Sequence, residues 1–201
     1  LVSASILTGC GSHKGTEKND ISVGIVLGAG SINDQSFNQS TWKGFQDAQE
    51  KFGKDNVTFD LQNGQGEQAN CATIANNFVA GNYDLILANA TAYLQAAAAG
   101  TSDIPILGTA VTEYGVALGI DDFDGTVGGN ISGTSDLAPL DEQADMLHEL
   151  FPDAKNVGLL YCSAEPNSQY QVDTVKDALE KLGYTCEDYA FSDSNLSLIH
   201  I

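Results

Sequence analysis

Ser22-Val-Gly-Ile-Val-Leu27 and the helical pattern that follows it over residues 40–52 decide how the chain reads. The first is a compact apolar run closed by Gly28, the mark of a buried strand. The second sets Trp42, Phe45, Ala48, Gln49 and Phe52 at helical spacing and stops at Gly53. Downstream the same alternation continues. Residues 57–61 read as a strand, 67–79 as a helix stopping before Gly81, 84–88 as a strand, 92–99 as a helix and 104–107 as a fourth strand. Strands and helices alternating through short links predict an α/β fold around a parallel sheet.

The alternation then breaks. Residues 112–136 are Gly-rich (Gly115, Gly119, Gly125, Gly128, Gly129, Gly133) and show no helical period. It restarts with a helix over 140–150, a strand over 157–161, a helix over 170–182 and a strand over 184–191. We therefore expect a first lobe over 21–112, an inter-lobe crossover region over 113–136 and a partial second lobe over 137–195. Two strands are too few for a doubly wound domain, so the second lobe reads as truncated. The closing residues 196–201 (Leu-Ser-Leu-Ile-His-Ile) read as a non-native tail.

Composition narrows the partners. The chain of 201 residues has eight basic side chains, all Lys, against 27 Asp plus Glu, a formal charge of −19. Such a field repels a polyanion, which excludes nucleic acid as a partner. Without Arg, no bidentate guanidinium clamp exists, so an anionic ligand group must be held by backbone N–H, hydroxyls or Lys. A hydrophobic fraction of 42% is ordinary for a folded protein and speaks against wholesale disorder.

The start of the chain has its own signature. Leu7-Thr-Gly-Cys10 resembles a bacterial lipobox, the motif whose cysteine is lipidated after signal cleavage. On that reading residues 1–10 are a signal-peptide remnant, Cys10 is the lipidation site and residues 11–20 are a polar tether. No later stretch approaches the roughly 20 apolar residues of a membrane span. The expectation is a protein of the bacterial cell envelope, outside the cytoplasm and held to the membrane by its N-terminal lipid.

Catalytic and cofactor signatures are missing. Gly28-Ala-Gly30 follows a strand, but Asn33 occupies the third glycine position of a dinucleotide fingerprint and the helix starts too late to cradle a pyrophosphate. His13, His148 and His200 are scattered, so neither a metal site nor a His-based triad is expected, and no cofactor is implied. Cys71, Cys162 and Cys186 read as free thiols, the latter two at opposite ends of neighbouring strands and out of disulfide reach. No nucleophile–base set appears, so an enzyme is not expected.

Polar residues gather where the strands end, the place at which open α/β sheets bind ligands. Asn33, Asp34 and Phe37 follow the first strand, Asn63 and Gln65 the second, Asn89 and Thr91 the third, and Thr109 and Thr112 the fourth. Ser135 and Asp136 lie at the inter-lobe passage, and Glu165, Asn167 and Ser168 follow the first strand of the second lobe. Each one singly is an ordinary cap or turn residue. Together they outline a polar cleft between the lobes for a small-molecule ligand. Thr91 opens a helix that can hold a carboxylate without Arg, Asp136 or Glu165 can answer an ammonium, and Phe37, Tyr93 or Tyr114 can supply an apolar wall.

Several segments carry a family resemblance: Leu61-Gln-Asn-Gly-Gln-Gly66, Asp84-Leu-Ile-Leu-Ala-Asn-Ala-Thr91, Ile104-Pro-Ile-Leu-Gly-Thr-Ala-Val-Thr112, Gly128-Gly-Asn-Ile-Ser-Gly-Thr-Ser-Asp136 and Val157-Gly-Leu-Leu-Tyr-Cys-Ser-Ala-Glu-Pro-Asn-Ser168. In this order they resemble the ABC transporter substrate-binding proteins that include tryptophan- and tyrosine-binding lipoproteins. The resemblance implies a type I periplasmic-binding-protein fold, two doubly wound parallel-sheet lobes closing on ligand. It also implies an ABC permease with its ATPase as partners. Two departures stand out: Ala92 where the family often has Pro, and Glu113-Tyr114 where it has Asp-Pro. The first loop, Gly30 through Phe45, instead resembles the basic-membrane-protein lipoproteins that bind purine nucleosides, in which Asp34, Phe37 and Asn38 would hold the nucleoside. Capture of an aromatic or other amino acid for an importer is the leading expectation. Nucleoside capture is the alternative in the same class, and a ligand-sensing module of a receptor or regulator the alternative in another.

Overall fold

The structure, a computed structural model, describes residues 20–28, 31–64 and 68–192. The lipobox cysteine Cys10, the tether up to residue 19, Ala29 and Gly30, Gln65 and the tail over 196–201 lie outside the described residues.

Five parallel strands form the main sheet in the order β2-β1-β3-β4-β5. They are β1 (Ile21–Leu27), β2 (Val57–Asn63), β3 (Leu85–Asn89), β4 (Ile106–Val111) and β5 (Ile131–Ser135). Between them run α1 (Phe37–Phe52), α2 (Gln68–Ala80), α3 (Thr91–Gly100) and the short α4 (Tyr114–Leu118). A separate two-stranded parallel sheet joins β6 (Asn156–Cys162) and β7 (Thr185–Phe191), flanked by α5 (Leu140–Leu150) and α6 (Pro166–Lys181).

Alternation along the strands sorts the main core into two layers. On one face Val26, Ile86, Ala88 and Ile106 pack under α2, α3 and α4, with Phe78, Leu94 and Tyr114 buried among them. Gly24 belongs to this layer because a Cβ there would stand 2.6 Å from the Phe78 ring. On the other face Val23, Ile25 and Leu27 pack under α1 through Phe45, with Trp42 and Leu61 at the margin. Helix α1 covers β1 and its neighbours but leaves Leu107 of β4 exposed. The small sheet packs Val157 and Leu159 against Leu179 and Ala144, and its other face exposes Leu160 and Tyr189.

Several boundaries differ from the sequence reading, among them α6, which begins at Pro166 rather than 170, and three have a clear local reason. Helix α1 begins at Phe37 rather than 40, because the Asp34 carboxylate accepts N–H groups from Ser36, Asn38 and Gln39. Strand β4 begins after Pro105 and runs to Val111, so Thr109 lies inside the strand instead of beyond it. The Gly-rich stretch, read as lacking regular structure, holds both α4 and β5. Glu113 caps α4 by accepting from Gly115 N (3.0 Å) and Val116 N (2.6 Å), and Gly119 ends it in the left-handed region at φ 65°. Strand β5, Ile-Ser-Gly-Thr-Ser, has no apolar alternation. It satisfies the edge of β4, and Gly133 leaves room for the Tyr114 side chain to lie across it.

Candidate functional site

The carboxyl ends of β3, β4 and β5 form one ledge, shaped by two unusual backbone residues. Asn89 ends β3, and Ala90 then adopts φ 86° to turn the chain into α3, its N–H donating to Thr109 O at 2.9 Å. On β4 the register with β5 slips between Gly108 and Val111, and Ala110 sits at φ 52°. The slip makes a bulge at the ledge, the device that re-aims side chains beside binding sites. Left-handed alanines carry a cost on the order of 1–3 kcal/mol each, tolerated where the surroundings fix the conformation.

Beside the ledge lies a cavity of about 610 Å³, running along the sheet face left open by α1. Its floor is apolar (Val23, Leu85, Leu87, Leu107), and its wall is α1 from Phe37 to Phe52. Its polar lining is Thr109, Thr134, Ser135 and Asp136 at the ledge, beside Ala110, together with Ser40 and Thr41 on α1. Four residues picked from the sequence therefore line this cavity: Phe37, Thr109, Ser135 and Asp136. Phe37 is 57% exposed at the first turn of α1 and lines the cavity. Ser135 Oγ donates to Thr112 O at 2.9 Å and accepts Leu137 N–H at 3.2 Å, while Asp136 N–H donates to Val111 O. The chain leaving β5 is thereby pinned to the end of β4, with the Asp136 side chain exposed.

The remaining sequence-picked residues sit elsewhere. Thr91 is buried at the start of α3. Thr112 contributes its carbonyl to Ser135. Asn33 and Asn63 are exposed on loop and strand end. Glu165, Asn167 and Ser168 gather at the start of α6, where Ser168 Oγ donates to Glu165 Oε2 at 3.1 Å, and none of the three lines the cavity. Tyr93 and Tyr114 do not form an apolar wall of the cleft. Both are buried in the layer under α2 and α3, where burial and then the neighbouring Cys71 push the Tyr93 hydroxyl up to about 12.

Sequence reasoning understated Asn38. It is 3% exposed, and its Oδ1 accepts both Gly28 N–H (3.1 Å) and the Asn89 side-chain amide (3.0 Å). One carboxamide thus ties the ends of β1 and β3 to α1. Asp34 is spent on the same scaffold, since its carboxylate receives three backbone N–H groups. Burial raises its pKa, but the donors at Gln39, Ser36 and Asn38 together hold it below the ordinary carboxylate value.

The comparisons with known proteins agree with this architecture. Residues 31–197 match the family described as ABC transporter substrate binding protein. The chain is 34% identical over 204 residues to a tyrosine-binding protein of Clostridioides difficile, covering 97% of this chain and 59% of that protein. It superposes with a TM-score of 0.77 and 32% identity on an ABC domain from Streptococcus pneumoniae solved in complex with L-Trp, covering 88% of this chain and 59% of that one. A nucleoside-binding protein, BmpA of Lactococcus lactis, is 41% identical over 71 residues, 33% of this chain and 18% of its own. The chain therefore spans about three-fifths of the length of the first two relatives. With a parallel α/β sheet of the type I periplasmic-binding-protein kind and a family match over most of its length, the chain belongs to the ABC transporter substrate-binding protein family.

Proposed function

We propose that this protein captures an aromatic amino acid outside the cytoplasm and hands it to an ABC permease, whose ATPase supplies the work. The observation that carries the reading is the meeting of Phe37, Thr109, Ser135 and Asp136 at one end of a largely apolar cavity. An aromatic body fits against Phe37 across the ledge, with its ammonium at the β5 end and its far edge toward β3. Asp136 is the anion for the ammonium. On this reading Glu165, Asn167 and Ser168 meet the ligand from the second lobe as the lobes approach. The protein makes and breaks no covalent bond. Cys10 carries the lipid that tethers it to the membrane.

Nucleoside capture is the second reading, favoured by the partial identity to BmpA. Against it, the Asp34 carboxylate and the Asn38 carbonyl oxygen, which that reading needs for ligand, are engaged with the backbone and Asn89.

A thermal-shift screen of the full-length protein against the standard amino acids and the common nucleosides tests the choice. A ligand at 100-fold excess over its dissociation constant stabilises by about 2.7 kcal/mol, well within detection. Shifts with L-tyrosine or L-tryptophan support the reading, and shifts with nucleosides alone refute it.

A further inference from the structure

We infer that Asn89 selects ligands carrying a hydrogen-bond donor at the tip of an aromatic side chain, an inference that rests on the aromatic amino-acid reading above. The orientation of its amide is fixed by its neighbours. Asn38 must present its carbonyl oxygen to Gly28 N–H, 3.1 Å away, and that same oxygen takes the Asn89 Nδ2 donor at 3.0 Å. Flipping Asn89 would set two carbonyl oxygens against each other. Asn89 Oδ1 is therefore a committed acceptor. It is also buried, in a residue only 1% exposed, and no described residue donates to it. Buried acceptors without a donor are rare, and one at a strand end beside a cavity asks for a ligand.

Its place in the fold says which one. Asn89 is the register partner of Thr109, which lines the polar end of the cavity, and its bonded partner Asn38 directly follows Phe37, which lines it too. An aromatic side chain entering between Phe37 and the floor of the sheet would bring its far edge toward this oxygen. A neutral amide oxygen sealed from water suits a neutral N–H or O–H, because an ammonium would have to shed its hydration to reach it. An indole N–H and a phenol O–H share this chemistry, an apolar body with one donor at the tip. A phenyl ring has none, and binding it would leave the oxygen unpaired.

The test is calorimetric titration of the full-length protein with L-tyrosine, L-phenylalanine, L-tryptophan and 1-methyl-L-tryptophan. The wild type should prefer tyrosine over phenylalanine, and tryptophan over its N-methyl analogue, each by about 10- to 100-fold. Asn89→Leu should erase both preferences, whatever the loss of its bond to Asn38 does to the unliganded melting temperature. Equal wild-type affinity for tyrosine and phenylalanine overturns the inference, as does an Asn89→Leu protein that keeps the preference. Should Asn89→Leu not fold, the two wild-type pairs still decide the matter. Failure of the wild type to bind any of the four overturns the aromatic amino-acid reading as well, whereas tight binding without preference overturns only the role of Asn89.

Discussion

The carboxylate of Asp34 receives the backbone N–H of Asn38 at 3.2 Å, so the residue that most invites a ligand role in the first loop is turned toward its own helix. Ser36 and Gln39 donate to the other oxygen at 2.8 and 3.0 Å. The arrangement starts α1 at Phe37 and places that ring at the mouth of the cavity. Because the pKa is held below its ordinary value of 3.8 in the folded state, the stabilisation is present above that value. It is lost as pH falls through the lowered folded value. Asp34→Ala should therefore melt below the wild type at neutral pH, with the gap closing in strong acid. Calorimetric melting across pH 2–7 checks this, and a gap that does not change with pH would remove the capping role.

Gly24 and Phe78 define how closely α2 can approach the sheet. A Cβ at Gly24 would stand 2.6 Å from a ring whose residue is fully buried. Gly24→Ala should lower stability by about 1–3 kcal/mol in urea unfolding, the usual cost of overpacking a filled core. Adding Phe78→Leu should recover part of that loss. No loss in the single variant would show that the layer yields more easily than its packing indicates.

Asp136 is the charged group of the ledge, and its side chain makes none of the contacts that hold the end of β5, which run through its backbone and Ser135. Asp136→Ala should weaken L-tryptophan binding by about 10-fold or more, the scale of a lost hydrogen bond to a charged group. The unliganded melting temperature should stay within a degree or so, as expected of an exposed site. Indole-3-propionate, which lacks the ammonium, should lose nothing. Equal losses for both ligands would take the ammonium away from Asp136.

Tyr93 couples the core to alkaline pH. Burial first, and then Cys71, raise its hydroxyl to about 12, so the folded protein keeps it neutral where the unfolded chain ionises. That stabilisation is complete below the unfolded value near 10 and declines as pH rises toward 12. Tyr93→Phe should flatten the decline over this interval. Burial raises the Cys71 thiol too, and at 5% exposure it should resist alkylation in the native state. Mass spectrometry after brief labelling would locate the modified cysteines. Fast modification of Cys71 would contradict its burial.

Much of the fold was legible in the sequence because the strands of a parallel sheet are continuous apolar runs. Val23 through Leu27 and Leu85 through Ala88 declare themselves, as does the helical stripe of Trp42 and Phe45. Strand β5 was not legible. Its Ser, Gly and Thr residues carry no period, and it exists because β4 has an edge to satisfy and Tyr114 needs Gly133 beneath it. Helix α4 is too short for a period to register, although Glu113 and Gly119 mark its two ends. At the site, Phe37, Thr109, Ser135 and Asp136, picked out by strand-end position, all line one cavity, since topology brings strand ends into one ledge. It could not separate residues that face the cavity from those consumed by the scaffold. Asp34 and Asn38 look alike in sequence to ligand groups, and only their hydrogen bonds to backbone and to Asn89 distinguish them.

Capture of an aromatic amino acid at the ledge and cavity is the proposed function. Isothermal titration of the full-length protein with L-tyrosine and L-tryptophan, alongside adenosine and inosine, tests it most directly. Saturable one-to-one binding of at least one of the two amino acids is expected, with no heat of binding from either nucleoside. Binding of a nucleoside with no response to the amino acids would contradict it.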